Sequence, residues 1–287
     1  TKKGILFAVL AACISGVSIF YNKLVIVKGI DPLIFNIIKN GGVAIILSLI
    51  LFSLPQRNQL FKLSSKTWKK LFLIGIVGGS IPFILFFEGL KSASAINANL
   101  IQKSLFIWVA AAAIPILGEK LSVWQVVGFV LVLGSNLLIG GFTGFKFSPG
   151  EFMILLATLL WTVEVILAKI TLADTDNLIV SWGRMFIGSF IMIIIAAYFG
   201  KLPLIFQVKS DQLIVIFGSI IFLTGYVSFW FKALKYAPAT IVASVLILAT
   251  PITNILSAIF ITHTFPQVQI LNLMGTAIGI LLISILF

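Results

Sequence analysis

Ten apolar runs, each long enough to cross a bilayer, fill this chain almost end to end. They lie at about 4–27, 32–54, 70–91, 93–117, 122–141, 150–170, 177–200, 210–232, 237–261 and 267–287. At ~1.5 Å per residue, roughly 20 helical residues cover a ~30 Å hydrocarbon core. Backbone groups find no water there, so only helices or a closed barrel can span it. Blocks such as AIILSLILF (residues 44–52) do not alternate, which argues against strands. The expected fold class is therefore all-α: a polytopic membrane protein of ten transmembrane helices. The longest polar stretch, about Pro55 to Lys70, is too short to fold alone. The first run is too long for a cleavable signal and is expected to belong to the fold. Thr1 is expected to reflect a trimmed start.

The chain is 60% hydrophobic, 10% charged and carries a formal charge of +12. That surplus does not point to nucleic acid, because of where it lies. Lys2, Lys3, Arg57, Lys62, Lys66, Lys69, Lys70 and Lys120 flank span ends on one side. The other side has Lys28, Lys91, Lys146, Lys201 and Lys209. The positive-inside rule makes the richer side cytoplasmic, with both termini there, in the cytoplasmic (inner) membrane. The one cysteine, Cys13, sits within a span, which excludes an internal disulfide.

The second half restates the first at an offset of about 145 residues. DPLIFNIIKNGG begins at Asp31 and DNLIVSWGRMFI at Asp176; Asp, Leu and Ile recur, and Lys39 and Arg184 each follow eight residues after their Asp. Lys23 and Lys169 close the first span of each half. GLKSASAINANL from Gly89 parallels ALKYAPATIVAS from Ala233. Glu119 falls where His263 stands, and Gly128 matches Gly275. Residues 1–143 and 147–287 are expected to form two repeats of five helices. An odd number of crossings inverts the second relative to the first, the architecture of secondary transporters with a midplane solute site. A duplication kept only for packing is the alternative.

These residues resemble the EamA-type branch of the drug/metabolite transporter superfamily over essentially the whole chain. The resemblance is carried by Trp161 and Lys169 in the first span of the second half, by Arg184 in its second span (with Lys39 in the first half), by ALKYAPA from Ala233 to Ala239, by Pro251, and by the GEKL stretch from Gly118 to Leu121. Ser15 replaces the Trp in the first half. The second half lacks the Gly-Glu motif, and the first half lacks a counterpart of Pro251. The resemblance implies ten helices, a central cavity and movement of small metabolites, and leaves the solute open.

Ionisable groups within lipid-spanning helices mark polar pathways. Lys39 and Arg184 lie about eight residues, or ~12 Å, from a span end, near opposite faces once the halves are inverted. Snorkelling to the interface is the alternative. Glu164, on the face of Trp161, can exchange a proton or contact solute; a fixed ion pair with Arg184 or Lys169 is the other reading. Glu88 reads as interfacial. Asn99, Gln102 and Lys103 share one face of the fourth span, with Asn97 and Phe106 nearby, and are expected to line a cavity or to hydrogen-bond another helix. Thr250 and Asn254 share a face of the ninth span, which is less polar. Trp161, Tyr226 and Trp230 are candidate cavity aromatics, whereas Trp68, Trp124 and Trp182 suit interface anchoring. Gly41, Gly42, Gly78, Gly79 and Gly225 permit close helix approach, and Pro82, Pro115 and Pro251 can kink their spans.

The binding set expected for the solute is thus Asn99, Gln102, Lys103, Trp161, Glu164, Arg184, Lys39, Tyr226 and Trp230. There is no P-loop, and His263 alone forms neither a metal cluster nor a triad. No catalytic residue, metal or cofactor is expected. The reading is a secondary transporter, working by alternating access, for a small polar or amphipathic metabolite such as an amino acid or related carboxylate. Its partners are the solute, the lipid bilayer and protons as coupling ion, with no nucleic acid; a monomer and a dimer both fit. A carrier of nucleotide sugars, lipid-linked sugars or phosphate esters is the nearest alternative. A membrane-embedded lipid-modifying enzyme and a scaffold belong to other classes.

Overall fold

A computed structural model describes residues 2–26, 29–137, 144–263 and 267–285. The side chains of Lys23 and Lys28, used above, lie outside the described residues. The described residues form helices without strands: α1 Lys2–Ile26, α2 Pro32–Ser53, α3 Arg57–Leu60, α4 Ser65–Gly79, α5 Ile81–Gly89, α6 Ala95–Lys103, α7 Leu105–Leu117, α8 Val123–Leu137, α9 Pro149–Thr171, α10 Asn177–Tyr198, α11 Ser210–Tyr236, α12 Ala239–Val245, α13 Ala249–Ser257 and α14 Gln267–Ile285. Among the described residues eight segments are long and apolar enough to cross a membrane; α4 with α5, α6 with α7, and α12 with α13 each make one of them. The fifth and tenth expected spans correspond to shorter apolar stretches, Val123–Val132 and Ile270–Ile283.

Local sequence sets the helix starts. The Asp31 carboxylate accepts the N–H groups of Leu33 and Ile34, with Pro32 in the first turn. Asp176 caps α10 through Leu178 N–H at 2.8 Å. The two repeated aspartates thus fix where α2 and α10 begin, and so the depth of Lys39 and Arg184. Ser148 and Glu151 close a capping box on α9.

Three spans break near mid-depth. Ser80 (φ −135°, ψ −77°) separates α4 from α5, and its hydroxyl donates to the Gly75 and Ile76 carbonyls in the last turn of α4. Ser104 separates α6 from α7. A 3₁₀ turn, Leu246–Leu248, separates α12 from α13, just before Pro251, which has no N–H and crowds the Ile247 carbonyl. Span four therefore breaks where span nine does, without the proline. Pro115 lies inside α7 with no break.

The helix contacts pair across the halves with roles exchanged. α1 packs on α11 as α9 packs on α5 and α4; α2 packs on α10, and α8 on α14. Matching helices run antiparallel. Asp31 at the start of α2 meets Lys201 just beyond the end of α10 (2.9 Å), while Ser48 late in α2 accepts from the indole of Trp182 early in α10 (2.8 Å). In the last pair, Gly128 of α8 lies against Gly279, and the Ser135 carbonyl accepts from Asn272 of α14. Trp182, expected as an interface anchor, is instead buried in this lock and stacks on Phe186.

Candidate functional site

A cavity of about 270 Å³ lies between the two halves. The first half contributes Ser15, Ser18 and Asn22 of α1, Phe83, Phe86 and Phe87 of α5, and Gln102, Lys103 and Phe106 at the α6–α7 break. The second contributes Trp161 and Glu164 of α9, Arg184 of α10, Tyr226 and Trp230 of α11, and Leu246 and Ile247 of the 3₁₀ turn. Each of the three helix breaks has a residue in or beside this wall. A break frees backbone polar groups, which membrane helices tolerate only against protein or a wet cavity.

Its charged centre is the pair Arg184–Glu164. Arg184 Nε donates to Glu164 Oε1 at 3.0 Å, with both side chains buried. The fixed ion pair left open by the sequence is therefore with Arg184. Lys169, the other possible partner, donates instead to the carbonyls of Leu234 and Ala237. Gly78 of α4 makes the space: a Cβ there would collide with the Glu164 side chain. Lys103 has no ion-pair or hydrogen-bond partner among the described residues, so it is the uncommitted charge in the wall.

Aromatic rings form much of the rest. Phe83 packs edge-on against Trp161, with centroids 5.6 Å apart, and Tyr226 stacks on Trp230 at 6.0 Å. Such faces favour apolar groups, rings and cations.

Seven of the nine residues singled out in the sequence line this cavity: Gln102, Lys103, Trp161, Glu164, Arg184, Tyr226 and Trp230. Asn99 and Lys39 do not. Asn99 is half-buried on α6, outside the wall. Lys39 is buried behind Phe83, its ammonium 4.6 Å from the Phe35 ring centre and 5.9 Å from that of Phe83. The Arg184 guanidinium also lies 5.9 Å from the Phe83 ring. The two cations were expected near opposite faces and instead converge on one ring. The reason is arithmetic: each is ~12 Å deep in antiparallel helices about 33 Å long, leaving only ~9 Å between them along the axis. Asn97 takes the helix-bonding alternative, donating to Glu151 and to the Gly144 carbonyl. Thr250 and Asn254 stay outside the wall. Glu88 is exposed and paired with Lys91 at 2.7 Å, as its interfacial reading requires.

Phe83 and the serine stripe of α1 were missed from sequence. Ser15, Ser18 and Asn22 at spacings of three and four mark one polar face of an otherwise apolar helix, a signal that was there to be read. Phe83 carried no such signal among 26 phenylalanines. Among the described residues no cluster of His, Cys, Asp and Glu is suited to a metal ion.

Comparison with known proteins gives the family. The sequence profile described as "EamA-like transporter family" matches residues 2–141 and again 148–285. No curated protein matches the chain in sequence. Among solved structures 29 chains match. One of them, described only as "Crystal structure of protein", superposes with a TM-score of 0.83 over 100% of this chain and 98% of that one, at 14% identity. At that identity the likeness establishes the fold alone.

Proposed function

The chain belongs to the EamA-like transporter family of multi-pass membrane proteins, and from that premise we propose that it carries a small amphipathic carboxylate, of amino-acid size, through the central cavity. Transport proceeds by alternating access between two inverted five-helix halves. The observation that carries this reading is Lys103: a cation without a counter-charge in the wall of a cavity whose other charges, Arg184 and Glu164, cancel each other. A net positive charge within membrane-spanning helices is costly, and a carboxylate is the ligand that relieves it. The aromatic wall then receives the solute's apolar part, and Gln102, Ser15 and Ser18 supply hydrogen bonds. The antiparallel pairing of α2 with α10 supports the inverted arrangement.

Size favours this solute class. A cavity of about 270 Å³ sits at the small end of ligand pockets, which run to roughly 300–1,000 Å³. That suits an amino acid better than a nucleotide sugar or a lipid-linked sugar. The solute's own gradient or a proton gradient supplies the energy, and the Lys-rich face is cytoplasmic.

The test is uptake into proteoliposomes, guided by a thermal-shift screen of amino acids, nucleotides, sugar phosphates and amines at two pH values. Lys103→Ala is expected to raise KM about tenfold or more, the scale of a charge-assisted hydrogen bond. Lys103→Glu is expected to abolish uptake of carboxylates while the protein stays folded. Unchanged uptake in both variants would reject the site, and stronger competition by phosphorylated than by free solutes would favour the phosphate-ester alternative.

A further inference from the structure

The turn between α11 and α12 is held by groups from outside both helices. α12 begins after Pro238, which has no side-chain oxygen, so its first N–H groups lack a local cap. Glu119, just beyond α7 in the opposite repeat, supplies one. Its carboxylate accepts Ala239 N–H at 2.6 Å, Thr240 N–H at 3.0 Å and the Thr240 hydroxyl at 2.7 Å. On the other side of the turn, the Lys169 ammonium donates to the carbonyls of Leu234 (2.6 Å) and Ala237 (2.7 Å), where α11 ends. Lys169 and Glu119 also attract each other electrostatically across the turn. Gly4 of α1 rests directly on Ala237; a Cβ there would come within 2.6 Å.

The matching turn of the first repeat is built differently. Ser94 stands where Pro238 stands, and its hydroxyl accepts Asn97 N–H at 3.1 Å, so α6 caps itself. His263, in the place of Glu119, is exposed with φ 50°. Among the described residues no side chain of the second repeat caps α6. The cavity is asymmetric in the same sense. It reaches Asn22 near the end of α1 and Phe87 near the end of α5, but stops at Val165 on α9 and Trp230 on α11, short of the Glu119 turn.

We infer that Glu119 and Lys169 form a clamp that holds the cavity shut at the α11–α12 turn, so that the resting protein is closed at this face; at the matching turn, among the described residues, no carboxylate of the other repeat caps the first N–H groups of α6. Both are positioning residues; neither touches the cavity. The clamp gains its meaning from the transport reading, but opening at the turn is measurable without any solute. Charge-assisted hydrogen bonds are among the stronger polar contacts, so losing three at once shifts an equilibrium between two packed states markedly.

The experiment places spin labels at Lys120→Cys and Tyr236→Cys, across the turn, in a Cys13→Ser background in nanodiscs. Glu119→Ala is expected to add a longer-distance population, raising the open-to-closed ratio about tenfold or more. Lys169→Met should shift it in the same direction. Glu119→Ala with Pro238→Ser separates gating from folding, because the new serine caps α12 locally. That double variant should regain the melting temperature yet keep the longer population. Restoration of the short distance by Pro238→Ser, or an unchanged distribution in Glu119→Ala alone, overturns the clamp. Opening in Glu119→Ala, together with wild-type protein that moves no solute in any screen, would sink the transport reading and leave the clamp standing. Normal uptake with unchanged distances in Glu119→Ala would do the reverse.

Discussion

Arg184 and Lys39 occupy the same position in the two repeats, each eight residues after a capping aspartate, yet their surroundings differ. Arg184 has a carboxylate at 3.0 Å and faces the cavity. Lys39 has none among the described residues, and lies against two phenylalanine rings outside the wall. The repeat explains the difference. The α9 residues Trp161 and Glu164 correspond to Ser15 and Ser18 on α1, so the first half has no acid where the second has one. Duplication kept the cation at both sites and the anion at one. A symmetric scaffold thereby acquired one neutral ion pair, one cation behind an aromatic partition, and a third cation, Lys103, facing the hollow. An asymmetric solute needs an asymmetric site, and this pair of positions shows how two copies of one unit can supply it.

Removing one member of the buried pair should have the largest effect on that comparison. Arg184→Met leaves Glu164 buried and unpaired, which is expected to cost about 3–5 kcal/mol. The double variant Glu164→Gln with Arg184→Met should recover most of the lost melting temperature in detergent while uptake stays impaired. A smaller loss, about 1–3 kcal/mol, is expected from Gly78→Ala, because α4 must retreat from the Glu164 side chain. Thermal denaturation followed by circular dichroism reads it, and an unchanged midpoint would mean that the contact is soft.

The aspartates that set the two depths offer a milder contrast. Burial raises the Asp31 carboxyl, but the Lys201 ammonium and the N–H groups of Ile34 and Leu33 outweigh it, and hold the carboxyl below its ordinary value of 3.8. A depressed folded-state value stabilises the protein above the unfolded value, and that stability is lost as pH falls below it. Wild-type melting temperature should therefore drop as pH is lowered below about 3.8, and Asp31→Asn should flatten that limb. At neutral pH the same substitution is expected to cost about 1 kcal/mol as a weakened cap and ion pair. The smallest effect is expected at Lys39. Lys39→Met removes a cation that has no anion to strand, so the melting temperature should stay level or rise. A fall as large as that for Arg184→Met would show that the two sites are equivalent after all.

Much of this protein is determined locally. Apolar run length dictates membrane helices, because lipid leaves backbone groups no partner outside the chain. The recurring Asp-to-cation spacing reveals the duplication, since an N-cap fixes where a helix starts and so how deep its eighth residue lies. Gln102 and Lys103, Trp161 and Glu164, and Tyr226 and Trp230 were legible as polar or aromatic faces from helical spacing alone. What the sequence did not determine depends on which helix meets which. Glu119 caps a helix 120 residues away, Trp182 bonds to Ser48 across 134, and Phe83 stands between two cations brought together by antiparallel packing. Side-chain periodicity names the face a residue lies on. The neighbour across that face comes from the opposite repeat, and only the packed bundle selects it.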